Sequence, residues 1–175
     1  TIRKLGDAAA KAKPDEQEQA AQKLAGMIQK EGDPIIRVET VRAIAKCRTA
    51  TAERVLTSAL KDPDVDVRVA ACHALAKHGG AGTVSALSDA LRNDVDTDVR
   101  LAAAKALGET RDQNAVAALG VALEDANPAM QYRAVMSLRS VTNKDLGNDV
   151  QKWQQYVKSV APPTPDGPET AVAGR

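Results

Sequence analysis

The chain repeats itself with a period of 31 to 32 residues, and no other feature constrains its fold as tightly. Four segments align without gaps: Asp33-Pro34-Ile35-Ile36-Arg37, Asp64-Val65-Asp66-Val67-Arg68, Asp96-Thr97-Asp98-Val99-Arg100 and Asn127-Pro128-Ala129-Met130-Gln131. Seven residues after each final position stands Ile44, Leu75, Leu107 or Leu138, preceded by Ala43, Ala74, Ala106 or Ser137. A unit this short cannot bury its apolar face alone and must stack on its neighbours. The period therefore predicts an all-α superhelix, a solenoid of about four to five helix pairs.

The repeats read as helices because of what recurs within them. Asp33, Asp64, Asp96 and Asn127 are good N-cap residues, and Pro34 and Pro128 occupy the first helical position, where a missing N–H is harmless. Counting the Arg37/Arg68/Arg100/Gln131 column as zero, apolar or small residues fall at −1, +3, +4, +7 and +10. At about 100° per residue these make one broad arc, the mark of an amphipathic helix. The zero column lies inside that arc. A long Arg stem can lie on apolar surface while its head reaches polar groups at the helix starts, so Arg37, Arg68 and Arg100 are expected to form a structural ladder.

A partner helix precedes each marked one. Leu24 and Ile28, Leu56 and Leu60, Leu87 and Leu91, and Leu119 and Leu123 recur at i, i+4, placing partners at about 16–30, 50–61, 82–92 and 112–124. The units then span about 15–47, 50–78, 82–109 and 112–142, with 2–12 as a degenerate leading helix ending before Pro14. Leu146-Gly147-Asn148-Asp149 restarts a helix, and 148–160 reads as a C-terminal cap holding Trp153 and Tyr156. Aromatics are only 2% of the chain and Phe is absent, so large rings gathered in the last helix suit the closure of an exposed end layer. The expected organisation is one repeat domain over 1–160 and a Pro-rich tail over 161–175.

Asp-x-Asp-Val-Arg followed by Ala-x-x-Ala-Leu, as in Asp64 to Leu75 and Asp96 to Leu107, resembles the HEAT repeat, in the short bacterial form also called the phycobilisome-lyase HEAT-like repeat. The closing run from Val141 to Gly147, with Asp149 and Trp153, is similar to the end of a group of bacterial HEAT-repeat proteins. The resemblance spans roughly 15–160 and implies antiparallel helix pairs in a right-handed superhelix, with the Asp/Arg helices on the concave side. It implies no single activity, because such proteins include scaffolds, adaptors, bilin lyase subunits, hydroxylases and DNA glycosylases.

Each enzymatic branch asks for residues that can be looked for. A di-iron hydroxylase needs several convergent His and carboxylate ligands, but the two histidines, His73 and His78, are not followed by Glu. A glycosylase needs a strongly basic face, with aromatics to stack on a base. Here 24 basic residues face 23 acidic ones, and the sole Trp lies in the cap. A bilin lyase leaves little local signature and stays as the alternative. Cys47 and Cys72 fall on the core arc and read as small buried hydrophobes. Cys72, His73 and His78 lie on different helix faces, so no metal and no cofactor is expected.

What remains is the exposed face of the Asp/Arg helices. Val38, Val69, Leu101 and Tyr132 occupy position +1, and Arg42, His73, Lys105 and Met136 occupy +5, with His73 expected in solvent. Arg139, Lys46 and Lys77 add cations farther along. Stacking turns these columns into an apolar stripe beside a mildly basic one. The stripe is either packing and solvated charge or a groove for an acidic peptide. The reading is a non-enzymatic scaffold or adaptor whose partner is another protein in a larger assembly, with no nucleic acid and no membrane insertion. Nothing approaches 18 consecutive apolar residues, and no signal-peptide pattern is present. The start at Thr1 rather than Met leads to the expectation of a removed upstream segment, and the compartment stays open with the cytoplasm favoured.

Overall fold

The computed structural model describes residues 2–160; Thr1 and the segment read as a Pro-rich tail, 161–175, lie outside them. The described residues form ten helices and no strand: α1 (Ile2–Ala9), α2 (Pro14–Ile28), α3 (Pro34–Ile44), α4 (Ala50–Ala59), α5 (Val65–His78), α6 (Thr83–Asn93), α7 (Thr97–Thr110), α8 (Ala115–Ala122), α9 (Pro128–Thr142) and α10 (Val150–Val160). α2/α3, α4/α5, α6/α7 and α8/α9 pack as pairs, with α1 laid against α3 and α10 against α8 and α9.

Two layers result. In one, α1, α3, α5, α7 and α9 follow each other in close contact; in the other, α4 and α6 barely meet. A stack that is tighter on one side curves toward that side, so the odd-numbered helices form the concave face. The tightness has a cause in the sequence: Ala71, Ala103, Ala104 and Ala134 are fully buried where the helices meet. A Cβ on Gly6 would stand 2.9 Å from the Cα of Ala43, and one on Gly108 would stand 2.8 Å from the Cα of Ser137. Side chains this small let backbones approach and leave the larger Leu24, Leu56, Leu87 and Leu119 to fill the space between layers.

Each odd helix from α3 onward starts on the same polar knot. The N-cap side chain of Asp33, Asp64, Asp96 or Asn127 accepts from the N–H two residues on. Two residues before each N-cap, the carboxylate of Glu31, Asp62, Asp94 or Asp125 accepts from the N-cap N–H. The second carboxylate was not singled out from the sequence, although its spacing repeats as faithfully as the first.

The end is closed by rings, as the aromatic distribution suggests. Trp153 is fully buried, donates from Nε1 to the Gly147 carbonyl at 2.9 Å, and meets Tyr156 edge-on with ring centroids 5.9 Å apart. The helix starts later than the restart expected at Leu146. Gly147 takes φ 70, turning the chain, and the Asp149 carboxylate then accepts from Gln151 and Lys152 N–H groups to cap α10.

Candidate partner-binding face

The ladder arginines come first, because they hold the face in place. Arg37 donates to the Asp62 carboxylate from Nε at 2.9 Å and Nη2 at 2.8 Å, and Arg68 does the same to Asp94 at 2.8 and 3.1 Å. The Nη1 group of each turns back to two carbonyls in the link before its own helix, Glu31 and Gly32 or Asp62 and Pro63. One planar fork thus ties two successive links together. Burial alone would raise the Asp62 and Asp94 carboxyls, but the paired guanidiniums and the N-cap N–H groups outweigh it and hold both below the ordinary value.

Arg100 departs from the expected ladder. It keeps the backward bonds, to the carbonyls of Asp94 and Val95, but its Nη2 group donates to Thr97 Oγ1 at 3.0 Å instead of crossing to Asp125. The position three residues before the ladder column is Pro34 in the α3 unit and Val65 in the α5 unit, neither of which offers a side-chain acceptor. Thr97 does, and it captures the guanidinium. Pairing therefore ends one unit earlier than the Arg-to-Gln change at Gln131 suggests. Gln131 itself retains the backward bond, to the Asp125 carbonyl.

The structure brings the eight face residues onto the concave layer as two adjacent rows. Val38, Val69 and Leu101 are half-buried, packed against the core, while Tyr132 is 54% exposed. Arg42 and Lys105 are exposed and Met136 is half-buried. Arg42 pairs with Glu39, Lys105 approaches Glu109, and Arg139 bonds Asp145 with its Nη1 near the Met136 sulfur. His73 is half-buried, against the expectation of solvent exposure, because α3 and α7 close in on either side of α5. Burial lowers its pKa, and the Lys105, Lys77 and Arg42 charges act in the same direction against Glu109.

Two clefts open on the α3/α5 part of this layer, one between the rows and one beyond the Arg42/His73 row. One, of about 410 Å³, runs over Val38 and Val69 with Ile35, Asp64 and Asp66 at its edge. The other, of about 630 Å³, has an alanine floor of Ala43, Ala45, Ala70 and Ala74 and a rim of Arg3, Arg42, Lys46, Arg48 and Lys77. Glu39, Arg42, Ala70 and His73 line both. Arg48 was missed in the sequence because it follows the end of α3, outside the repeat register. It donates to the carbonyls of Lys77 and His78, at the negative end of α5.

The remaining reactive side chains are spoken for. Cys47 and Cys72 are free and buried; burial pushes the Cys47 thiol up, and the Cys72 thiol up to about 12. Such a thiol is a packing group at neutral pH. The His78 ring sits between the carbonyls of Gly79 and Cys47, at 2.9 and 3.0 Å. Cys72, His73 and His78 thus point into three separate environments.

None of the curated proteins compared with the chain gives a match. Among solved structures, the crystal structure of an engineered protein, a Northeast Structural Genomics Consortium target, is 18% identical with a TM-score of 0.51. The match covers 90% of this chain and 89% of that one, a likeness of fold alone. The family model described as HEAT repeats matches residues 21–103 and again 84–152, across the units built on the Asp/Arg knots. With its repeated helix pairs in that register, the chain belongs to the HEAT-repeat family.

Proposed function

We propose that this chain is a non-enzymatic interaction module, a scaffold or adaptor that holds a partner protein along α3, α5, α7 and α9. One observation carries the reading: Val38, Val69, Leu101 and Tyr132 stand in a row beside Arg42, His73, Lys105 and Met136 on a layer whose backbone is fixed by alanine packing. A rigid surface with aliphatic and aromatic anchors next to exposed cations suits protein recognition, in which apolar contacts supply affinity and charge supplies register. HEAT repeats are typically interaction scaffolds, which supports the same reading.

The test is a native pull-down with Arg42→Glu, Lys105→Glu and Tyr132→Ala variants, each checked for an unchanged melting curve. Loss of the same partner from at least two of them is expected. A partner set indifferent to all three would remove the concave face from consideration. The bilin-lyase alternative is distinguished by visible absorbance of the purified protein and by a bilin-transfer assay, both expected to be blank.

A further inference from the structure

The two clefts of the α3/α5 face differ in chemistry but share a wall. The smaller is apolar around Val38 and Val69, and the larger is rimmed by cations. From Val69 to Lys77 is eight residues of α5, about 12 Å along the axis. An extended chain covers that distance in about four residues. A ligand filling both clefts must therefore present an aliphatic group and a negative group about four residues apart.

The cations are not equally available. Glu39 holds both Arg3 and Arg42, and Asp7 holds Lys46. Arg48 is turned onto the end of α5, and Lys77 has no carboxylate partner among the described residues. The larger cleft thus keeps, on Lys77 and Arg48 where α5 ends, positive charge that no carboxylate among the described residues balances.

Resting on the reading of this layer as an interaction face, we propose that the α1/α3/α5 cleft accepts an acidic segment of a partner protein. An aliphatic side chain of that segment seats on Val38 and Val69, and a carboxylate about four residues away seats beside Lys77 and Arg48. A nucleic-acid strand fits this surface poorly. Its charge repeats at every nucleotide, so a phosphate at the apolar end would meet Asp64 and Asp66, and no Tyr or Trp lines either cleft for a base to stack on.

His73 lies in the wall common to both clefts, and it adds a signature that a merely adhesive surface would lack. In the free protein the ring is faced by Arg42 from α3, by Lys77 on its own helix and by Lys105 and Glu109 from α7, within a half-buried site. Protonation there adds a cation among cations. An incoming carboxylate reverses that penalty, so binding raises the His73 pKa and takes up a proton. Affinity then increases as the pH falls through the pKa of the bound state. The gain is at most about tenfold for each unit by which binding raises that pKa.

The probe is a fluorescein-labelled decapeptide carrying one leucine and, four residues later, two glutamates, added to the full chain. Anisotropy gives its affinity, and the imidazole resonances of His73 give its pKa with and without peptide. Binding is expected to fall at least fivefold on replacing the glutamates by glutamine or on Lys77→Glu. It should survive Lys77→Arg and recover when Lys77→Glu is paired with a lysine-for-glutamate peptide. The His73 pKa should rise on saturation. Equal affinity for Lys77→Glu, or a His73 titration that ignores the peptide, overturns the proposal. So does an oligothymidylate of the same length that displaces the peptide with equal affinity, since the site would then read negative charge alone. If these fail while Arg42→Glu and Lys105→Glu still release a native partner, the interaction face stands and only this occupant falls.

Discussion

Between α3 and α7 each junction of the stack is crossed by a guanidinium that grips two links at once, Arg37 on Asp62 and Arg68 on Asp94. From α7 to α10 nothing of that kind recurs. Arg100 folds onto Thr97, Gln131 reaches only a carbonyl, and the junctions are held by close backbone approach and by Trp153. Ser140 donates to the Gly108 carbonyl at 3.0 Å and Gln113 to the Val141 carbonyl at 2.7 Å, ties between units that carry no charge. One half of the molecule is pinned by charge at its links, the other by packing at its end. Interior units can use a polar ladder because each has a neighbour to supply the acceptor. The last unit has none, and a ring of large area covers what would otherwise face water.

The largest effect should follow from removing the packing closure. Trp153→Ala is expected to cost about 3–5 kcal/mol, as for other fully buried aromatics, and truncation after Val141 should give self-association or failure of soluble expression. Denaturant titration and size-exclusion chromatography read the two results. A Trp153→Ala loss under about 1 kcal/mol would mean that α10 is an appendage and that the stack closes at α9.

The ladder comparison itself is tested by Arg68→Ala against Arg100→Ala. Arg68 is buried and removing it leaves Asp94 unpaired, so a loss of roughly 2–4 kcal/mol is expected. Arg100 holds two carbonyls and a hydroxyl without an opposing carboxylate, and its loss should cost about 1 kcal/mol. Equal losses would erase the distinction between the halves. A parallel acid titration gives the sign. Asp62 and Asp94 have folded-state pKa values below their unfolded ones, so the ladder contributes fully above about pH 4 and is lost as pH falls through the lower folded values. Arg68→Ala should remove the Asp94 share of that acid limb, while Arg100→Ala, whose charge is the smallest of the causes that lower Asp94, should leave most of it in place.

Which parts of this were legible in the sequence follows from how each is built. The helix pairs, the N-caps and the buried columns repeat every 31 to 32 residues, and a pattern seen four times carries its own check. The ladder donors are legible for the same reason, and the column of Glu31, Asp62, Asp94 and Asp125 repeats as faithfully, but nothing in that repetition marks Asp62 and Asp94 as the acceptors of the preceding unit's arginine. Arg100 could not be distinguished from Arg68 by column. What separates them is the hydroxyl of Thr97, a single side chain at a position the alignment treats as variable. The same holds at the face. Val38, Arg42, Val69 and His73 were found by register, whereas Arg48 joins the cleft from outside it. His73 was misplaced toward solvent because a helical wheel counts one helix, and its burial comes from the two beside it.

Packing within the half that lacks a crossing arginine can be probed at α7. Ala103 is fully buried, so Ala103→Leu should overpack the contact and cost about 1–3 kcal/mol. A change near zero in a denaturant titration would show slack in the layer that the Gly108–Ser137 approach does not suggest.

The smallest expected effect would join the two halves. If the Thr97 hydroxyl is what diverts Arg100, then Thr97→Val, which copies Val65, frees the guanidinium to cross toward Asp125; both residues line the cleft between α6 and α8. The net change in stability should be slight, because one hydrogen bond is exchanged for another. The informative quantity is the coupling between Arg100 and Asp125 in a double-mutant cycle with Arg100→Ala and Asp125→Asn. It should be near zero in the parent and rise to about 1 kcal/mol in the Thr97→Val background. A coupling that stays near zero there would shift the cause from the hydroxyl to the placement of the link that carries Asp125. The width of the outer layer would not explain it, since α6 and α8 lie in closer contact than α4 and α6, where Arg68 does reach Asp94. The course of that one link, not one threonine, would then set the boundary between the two halves.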